Sequence, residues 1–115
     1  MSPYSYAKDT FFSWGSVSQK CNDFSELVNE FESYINDYGD EQLISVQNYY
    51  TASFQAYLSG LNMGIYLDTN YWRDLNFNTS DYMYSYMQNY CNKNPTEKLT
   101  SGLIQYYGDL PKVEE

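Results

Sequence analysis

Histidine is absent from this 115-residue chain, arginine occurs once, alanine three times and cysteine twice. Without imidazole, every catalytic arrangement that relies on histidine as base is excluded, as are HExxH zinc sites and histidine-ligated haem. With one arginine, six basic residues in all and a formal charge of −9, the chain has no basic run with which to grip phosphate. Nucleic acid and anionic membrane surfaces are therefore poor partners. No hydrophobic stretch is long enough to cross a bilayer, so membrane insertion is not expected. No GxxxxGK[ST] or GxGxxG motif is present to cradle a nucleotide. The first residues, Met1-Ser2-Pro3-Tyr4, do not form the basic-then-apolar start of a signal peptide.

The chain is rich in tyrosine, with 15, beside six Phe and two Trp. Leu, Ile, Val and Phe together make up about a fifth of the residues, the lower edge for a globular composition. Tyrosine rings must then serve as apolar filler, with their hydroxyls kept wet or hydrogen-bonded. The length and the lack of a Pro/Ser/Gly-rich linker point to one compact domain, residues 1–115.

Four helices are expected. Residues 1–20 read as an aromatic N-terminal arm carrying Phe11, Phe12 and Trp14. Asp23, with Glu26 three residues on, has capping-box spacing. From there Phe24, Leu27, Val28, Phe31, Tyr34, Ile35 and Tyr38 recur on one face up to a stop at Gly39. A second helix runs from about Glu41 to Met63 with Leu43, Val46, Tyr50, Phe54, Tyr57, Leu58 and Leu61 inward. Gly60 and Gly64 near its end mark a close helix crossing and a helix stop, since Gln47, Asn48, Gln55 and Asn62 make the segment too polar for a membrane dimer. A loop follows over 67–79. Ser80 or Asp81 caps a third helix, with Met83, Met87 and Cys91 in line. Asn94-Pro95 opens a fourth, with Leu99, Leu103, Tyr106 and Tyr107 apolar. Residues 111–115 form a frayed tail. No strand of useful length is expected, and the fold class is all-α.

The chemistry-bearing patterns are weak. Asp37, Asp40 and Glu41, or Asp68 and Asp74, are carboxylates close in sequence, but no spacing forces two of them into one pocket as glycosidase chemistry requires. Asp68-Thr69-Asn70 opens like an EF-hand loop and then fails, with Arg73 where the glycine belongs. Neither a metal site nor a cofactor is expected, and the chain does not read as an enzyme. Asn78-Thr79-Ser80 is a glycosylation sequon in a eukaryotic secretory pathway and otherwise a helix cap. Cys21 and Cys91 are not in CxxC spacing, leaving a disulfide or two buried thiols. If bonded, they close a loop that contributes about 4 kcal/mol in the chain-entropy picture and place the protein in an oxidising compartment.

Two segments carry a family resemblance: Tyr57-Leu58-Ser59-Gly60-Leu61-Asn62, and Tyr90-Cys91-Asn92-Lys93-Asn94-Pro95 running into a short helix before Leu110-Pro111. Over roughly residues 45–110 the chain resembles the small exported bacterial helical proteins that include the HdeA/HdeB acid-stress chaperones and the Tai-type immunity proteins of type VI secretion. The resemblance implies a Cys21–Cys91 bond, a periplasmic or secreted location after removal of a signal peptide, and a non-enzymatic protein that binds other proteins, as monomer or homodimer. The expected partner is a client of a stress chaperone or, alternatively, one toxin blocked by an immunity protein. Phe11, Phe12, Trp14, Tyr71 and Trp72 are the candidate partner-binding residues, with acidic groups setting charge complementarity. At pH near 2, neutralised carboxylates would take the charge from −9 towards about +6 and weaken the native state.

Overall fold

The computed structural model describes residues 17, 19–38 and 41–114, with side chains described for 17, 19–30 and 46–113. The fold is all-α, with four helices in a compact arrangement among the described residues. In chain order the elements are α1 (Cys21–Tyr38), α2 (Glu41–Thr69), β1 (Tyr71–Arg73), α3 (Ser80–Lys93), α4 (Leu99–Gly108) and β2 (Lys112–Glu114). The arm with Phe11, Phe12 and Trp14 lies outside the described residues, as does the expected stop at Gly39.

Helix α1 starts two residues before the expected cap at Asp23, because its first donors are satisfied from elsewhere in the chain. The Cys21 N–H donates to Glu97 O (2.7 Å) and the Asn22 N–H to Pro95 O (2.9 Å), while Leu99 N–H donates back to Gln19 O (2.9 Å). Two helix starts thus cap each other through backbone alone, filling positions usually left to side chains. That exchange also corrects the expected start of the last helix. Asn94 ends α3, with its backbone and its side-chain amide both donating to Tyr90 O (2.9 Å each). Residues 95–98 form a turn whose carbonyls face α1, so α4 begins at Leu99.

The Cys21–Cys91 disulfide joins the same two regions, with Cα atoms 4.7 Å apart and both residues buried. Beside it the core is an aromatic cluster. Phe24 of α1 stands edge-on to Tyr50 of α2 (4.7 Å between centroids) and to Tyr84 of α3 (5.9 Å), with Phe54 completing the set. Met83, Met87 and Cys91 form the buried line of α3, and Leu99, Leu103, Tyr106 and Tyr107 that of α4, as the periodicity predicts. Tyr50 and Tyr107 serve as filler with the oxygen satisfied at the edge: Tyr50 Oη donates to Gln19 Oε1 (2.8 Å) and Tyr107 Oη to Asn62 Oδ1 (2.6 Å).

The glycines behave differently from the sequence reading. Helix α2 passes through Gly60 and Gly64 without stopping, and a Cβ at either position would meet nothing within 4 Å. The close crossing is at Gly102, where a Cβ would lie 2.6 Å from Tyr90 Cδ1 and 2.9 Å from Met87 Cε, so α4 approaches α3 only because that position lacks a side chain. What ends α2 is Asn70, left-handed at φ 63°, its N–H donating to Tyr66 O (2.9 Å).

Two short strands replace the expected loop and the frayed tail. β1 and β2 pair antiparallel, Tyr71 with Glu114, Trp72 with Val113 and Arg73 with Lys112. Three residues each is too short for a sheet to stand alone, and the ribbon is fixed by the chain's one arginine. Arg73 Nη1 donates to Gly108 O (3.0 Å) and Leu110 O (2.6 Å) at the end of α4, with the guanidinium 5.5 Å from the Tyr107 ring centroid. Its backbone is gripped by Asn62 of α2, whose amide both accepts from Arg73 N–H (2.8 Å) and donates to Arg73 O (3.1 Å).

Candidate functional site

Tyr71 and Trp72, the described members of the expected binding set, lie in β1 and are half-buried. Trp72 stacks edge-on against Tyr66 at 5.5 Å, and Lys112 Nζ sits 4.6 Å from the Tyr71 ring centroid. Both rings hold the ribbon to α2 and to β2. Phe11, Phe12 and Trp14 lie outside the described residues, so the five are not brought together among the described ones.

Among the described residues, an exposed apolar strip has a different origin. Helix α2 turns Tyr50, Phe54 and Leu58 inward, and on its opposite side a 3/4-spaced series, Tyr49, Ala56, Gly60, Met63 and Leu67, faces outward, with the half-buried Ser53 between its first two members. Leu67 is 75% exposed, Met63 60% and Tyr49 54%; Ala52 and Gly64 are also exposed and widen the strip. Small residues occupy its middle and large ones its ends, giving a shallow saddle. Between Glu41 and Asp68 the chain has no charged residue at all, in a molecule carrying −9 overall. A helix apolar on its solvent face as well as its core face is ordinarily covered by something else. That uncharged run was the signal available in the sequence, and counting only inward-facing positions passes over it.

A second feature is a cleft of about 490 Å³ between α2, the turn before α3 and the start of α3. Thr79 makes this corner by capping α3, its Oγ1 accepting from Tyr82 N–H (3.1 Å), one residue ahead of the expected Ser80 or Asp81. That leaves Ser80 Oγ to accept from Gln55 Nε2 (3.3 Å) and Asp81 Oδ1 from Gln47 Nε2 (2.8 Å), both reaching across from α2. The preceding turn is set by Asp74, which accepts from the Asn76 N–H through its side chain (3.0 Å) and from the Phe77 N–H through its carbonyl (3.3 Å). Phe77 is left 63% exposed at the apex. At the back, Asn78 Nδ2 donates to Tyr106 Oη (3.4 Å).

The titration behaviour belongs to the tyrosines. Burial pushes the phenols of Tyr50, Tyr57, Tyr86, Tyr90, Tyr106 and Tyr107 above their ordinary value of 10.0, partly opposed at Tyr50 by Gln19, at Tyr106 by Asn78 and at Tyr107 by the Arg73 charge. At neutral pH these phenols are protonated. Among the described residues no three His, Cys, Asp or Glu side chains gather where a metal ion could be held. No helix among them is long and apolar enough to cross a membrane. Comparison of the chain with protein-family profiles, with curated proteins and with solved structures returned no match.

Proposed function

We propose that this chain is an exported, non-enzymatic protein-binding module of the kind the HdeA-like resemblance implies, and that the outer face of α2 is the surface offered to its partner. The observation that supports this is the uncharged saddle from Tyr49 to Leu67, with Met63 and Leu67 more than half exposed in a strongly acidic molecule. Burying such side chains against a partner stabilises a complex by roughly 25 cal/mol per Å² of apolar area. The small residues at Ala52, Ala56, Gly60 and Gly64 let a second helix lie close along α2. The surrounding net charge selects for a helix that is apolar on one face and basic at its flanks, since opposite charge speeds encounter and excludes acidic competitors. Export agrees with the buried Cys21–Cys91 bond, because reducing compartments keep thiols reduced.

A stress-chaperone role, in which acid loosens the domain and exposes more apolar area to clients, is the first form of this reading. The immunity form, one dedicated toxin bound by a rigid disulfide-locked domain, uses the same face at neutral pH. A Lys-flanked amphipathic helical peptide titrated against the protein, followed by fluorescence anisotropy, tests the shared part. Ala56→Glu puts a charge at the centre of the saddle, on an exposed position where folding is unaffected. It is expected to weaken binding at least about tenfold, the equivalent of about 1.4 kcal/mol. Equal affinity of Ala56→Glu and the parent would refute the assignment of this face. Suppression of client aggregation at pH 2–3 separates the two forms: the chaperone suppresses it, whereas an immunity protein binds only at neutral pH.

A further inference from the structure

The cleft beside α3 has a composition at odds with the rest of the surface. Among the described residues that line it there is no Asp, Glu, Lys or Arg, although the chain carries 21 such residues. Its floor is apolar and packed, with Leu58 2% exposed, Met83 4% and Tyr106 3%. Its rim consists of amides and hydroxyls, Gln55, Ser59, Asn76 and Asn78 among them. A pocket of about 500 Å³ with an apolar floor and a few convergent polar groups is the usual form of a small-molecule site.

The lining specifies the ligand by what it would leave unsatisfied. An anion would meet no cation there and the field of a −9 molecule, and a cation would meet no carboxylate. A pure hydrocarbon would strip water from amides without pairing them. The remaining fit is a neutral ligand with hydroxyl edges and a C–H face, and we infer that the cleft binds a pyranose sugar.

Three details support this. First, the polar pairs guarding the cleft are long. Gln55 Nε2 to Ser80 Oγ is 3.3 Å and Asn78 Nδ2 to Tyr106 Oη is 3.4 Å, beyond the 2.9–3.0 Å typical of N–H···O bonds. Sugar hydroxyls, which both donate and accept, can take up the bonding capacity that such weak pairs leave at their amides and hydroxyls. Second, the Tyr106 phenol is almost wholly buried, yet its oxygen accepts from an amide at the cleft, so its proton is available to donate to a ligand. Burial keeps it protonated beyond the ordinary tyrosine range. Third, Phe77, which is not itself a lining residue, is 63% exposed and lies in sequence between the lining residues Asn76 and Asn78. An aromatic face carries partial negative charge and receives the weakly positive C–H face of a sugar ring. The inference is independent of the saddle on α2, since Ala56→Glu leaves every lining residue in place.

The test is a ¹H–¹⁵N titration of the full chain with methyl glucoside, N-acetylglucosamine, maltose and cellobiose, following the side-chain amides of Gln55, Asn76 and Asn78. At least one sugar is expected to saturate with a dissociation constant on the order of 1 mM, as befits a few hydrogen bonds in an open cleft. Asn78→Ala and Tyr106→Phe are each expected to weaken it about five- to tenfold, the loss of one hydrogen bond. Tyr106→Phe keeps the ring and so the core, and circular dichroism confirms that each variant is folded. Silence of all three amides towards every sugar to about 50 mM, far above the affinity expected of such a cleft, overturns the inference. Unchanged affinity in both variants does so as well. So does a neutral Asn-containing tripeptide that shifts the same amides more strongly than any sugar, which would make the cleft a peptide site.

Discussion

Replacing three helical glycines with alanine separates helix propensity from packing, because the three positions have opposite surroundings. At Gly60 and Gly64 a new Cβ meets open space, so only the backbone term acts. Alanine restricts the unfolded chain and favours the helix, a gain of roughly 0.5–1 kcal/mol at each site. At Gly102 the same methyl would lie 2.6 Å from Tyr90 Cδ1, against about 3.5–4.0 Å for a relaxed carbon contact, so the helices or the ring must give by about 1 Å. Met87 Cε at 2.9 Å can swing away as the end of a flexible chain, but the Tyr90 ring carbon belongs to a half-buried side chain held in the α3–α4 seam. Overpacking of this kind costs about 1–3 kcal/mol, against which the propensity gain offsets about 1. Gly102→Ala is therefore expected to destabilise by up to about 2 kcal/mol while Gly60→Ala and Gly64→Ala stabilise. For a domain of this size each kcal/mol moves Tm by about 4 °C. Urea unfolding followed by circular dichroism reads all three with a common m-value. The packing account fails if Gly102→Ala is as stabilising as the other two. It is strengthened if Tyr90→Ala, which removes the clashing ring, costs less in the Gly102→Ala background than in the parent, since only contacting residues show such coupling.

The disulfide and the tyrosines yield two further expectations. Cys21→Ser with Cys91→Ser should lower stability by about 4 kcal/mol, the loop-closure value for a sequence separation of 70, and lower Tm by about 15–20 °C; a loss under about 1 kcal/mol in urea would show that the backbone bonds between 19–22 and 95–99 hold the region unaided. In the parent, where both sulfurs are buried, reduction by dithiothreitol should proceed only as fast as the region opens, and immediate reduction would contradict that burial. The six raised phenols retain their protons in the folded state at pH values where the unfolded chain has begun to lose them, so the unfolded state binds fewer protons and stability falls as pH rises above about 10. Absorbance at 295 nm should show a late group of tyrosines titrating together with loss of helix, and a single early titration with the helix intact would refute it.

What the sequence made legible is what short-range periodicity encodes. The inward rows of α3 and α4, and Tyr50, Phe54 and Leu58 of α2, follow from three- and four-residue spacing, because a helix repeats its face every turn whatever lies opposite. Helix ends were less legible where the capping partner lies far along the chain. Asp23 with Glu26 has the spacing of a cap and Asn94-Pro95 that of a helix start. Each is overridden by a carbonyl or amide more than 70 residues away, and no local pattern reports such a partner. The β1–β2 pair is similar: three residues apiece have no readable alternation, and the pairing depends on Arg73 reaching the carbonyls of residues 108 and 110.

The glycines give the sharpest instance, and they bear on function. GxxxG spacing describes a surface smooth enough for another helix, and it holds whether that helix comes from the same chain or from another. In this fold the internal crossing uses Gly102, a lone glycine with no motif around it, while Gly60 and Gly64 point to solvent beside Met63 and Leu67. A sequence pattern can identify a packing surface without identifying what packs there. Among the described residues the core of α2 is closed by α1, α3 and α4, and Met63 and Leu67 on its other side stay exposed, so the smooth face carrying Gly60 and Gly64 is a packing surface that none of these helices uses.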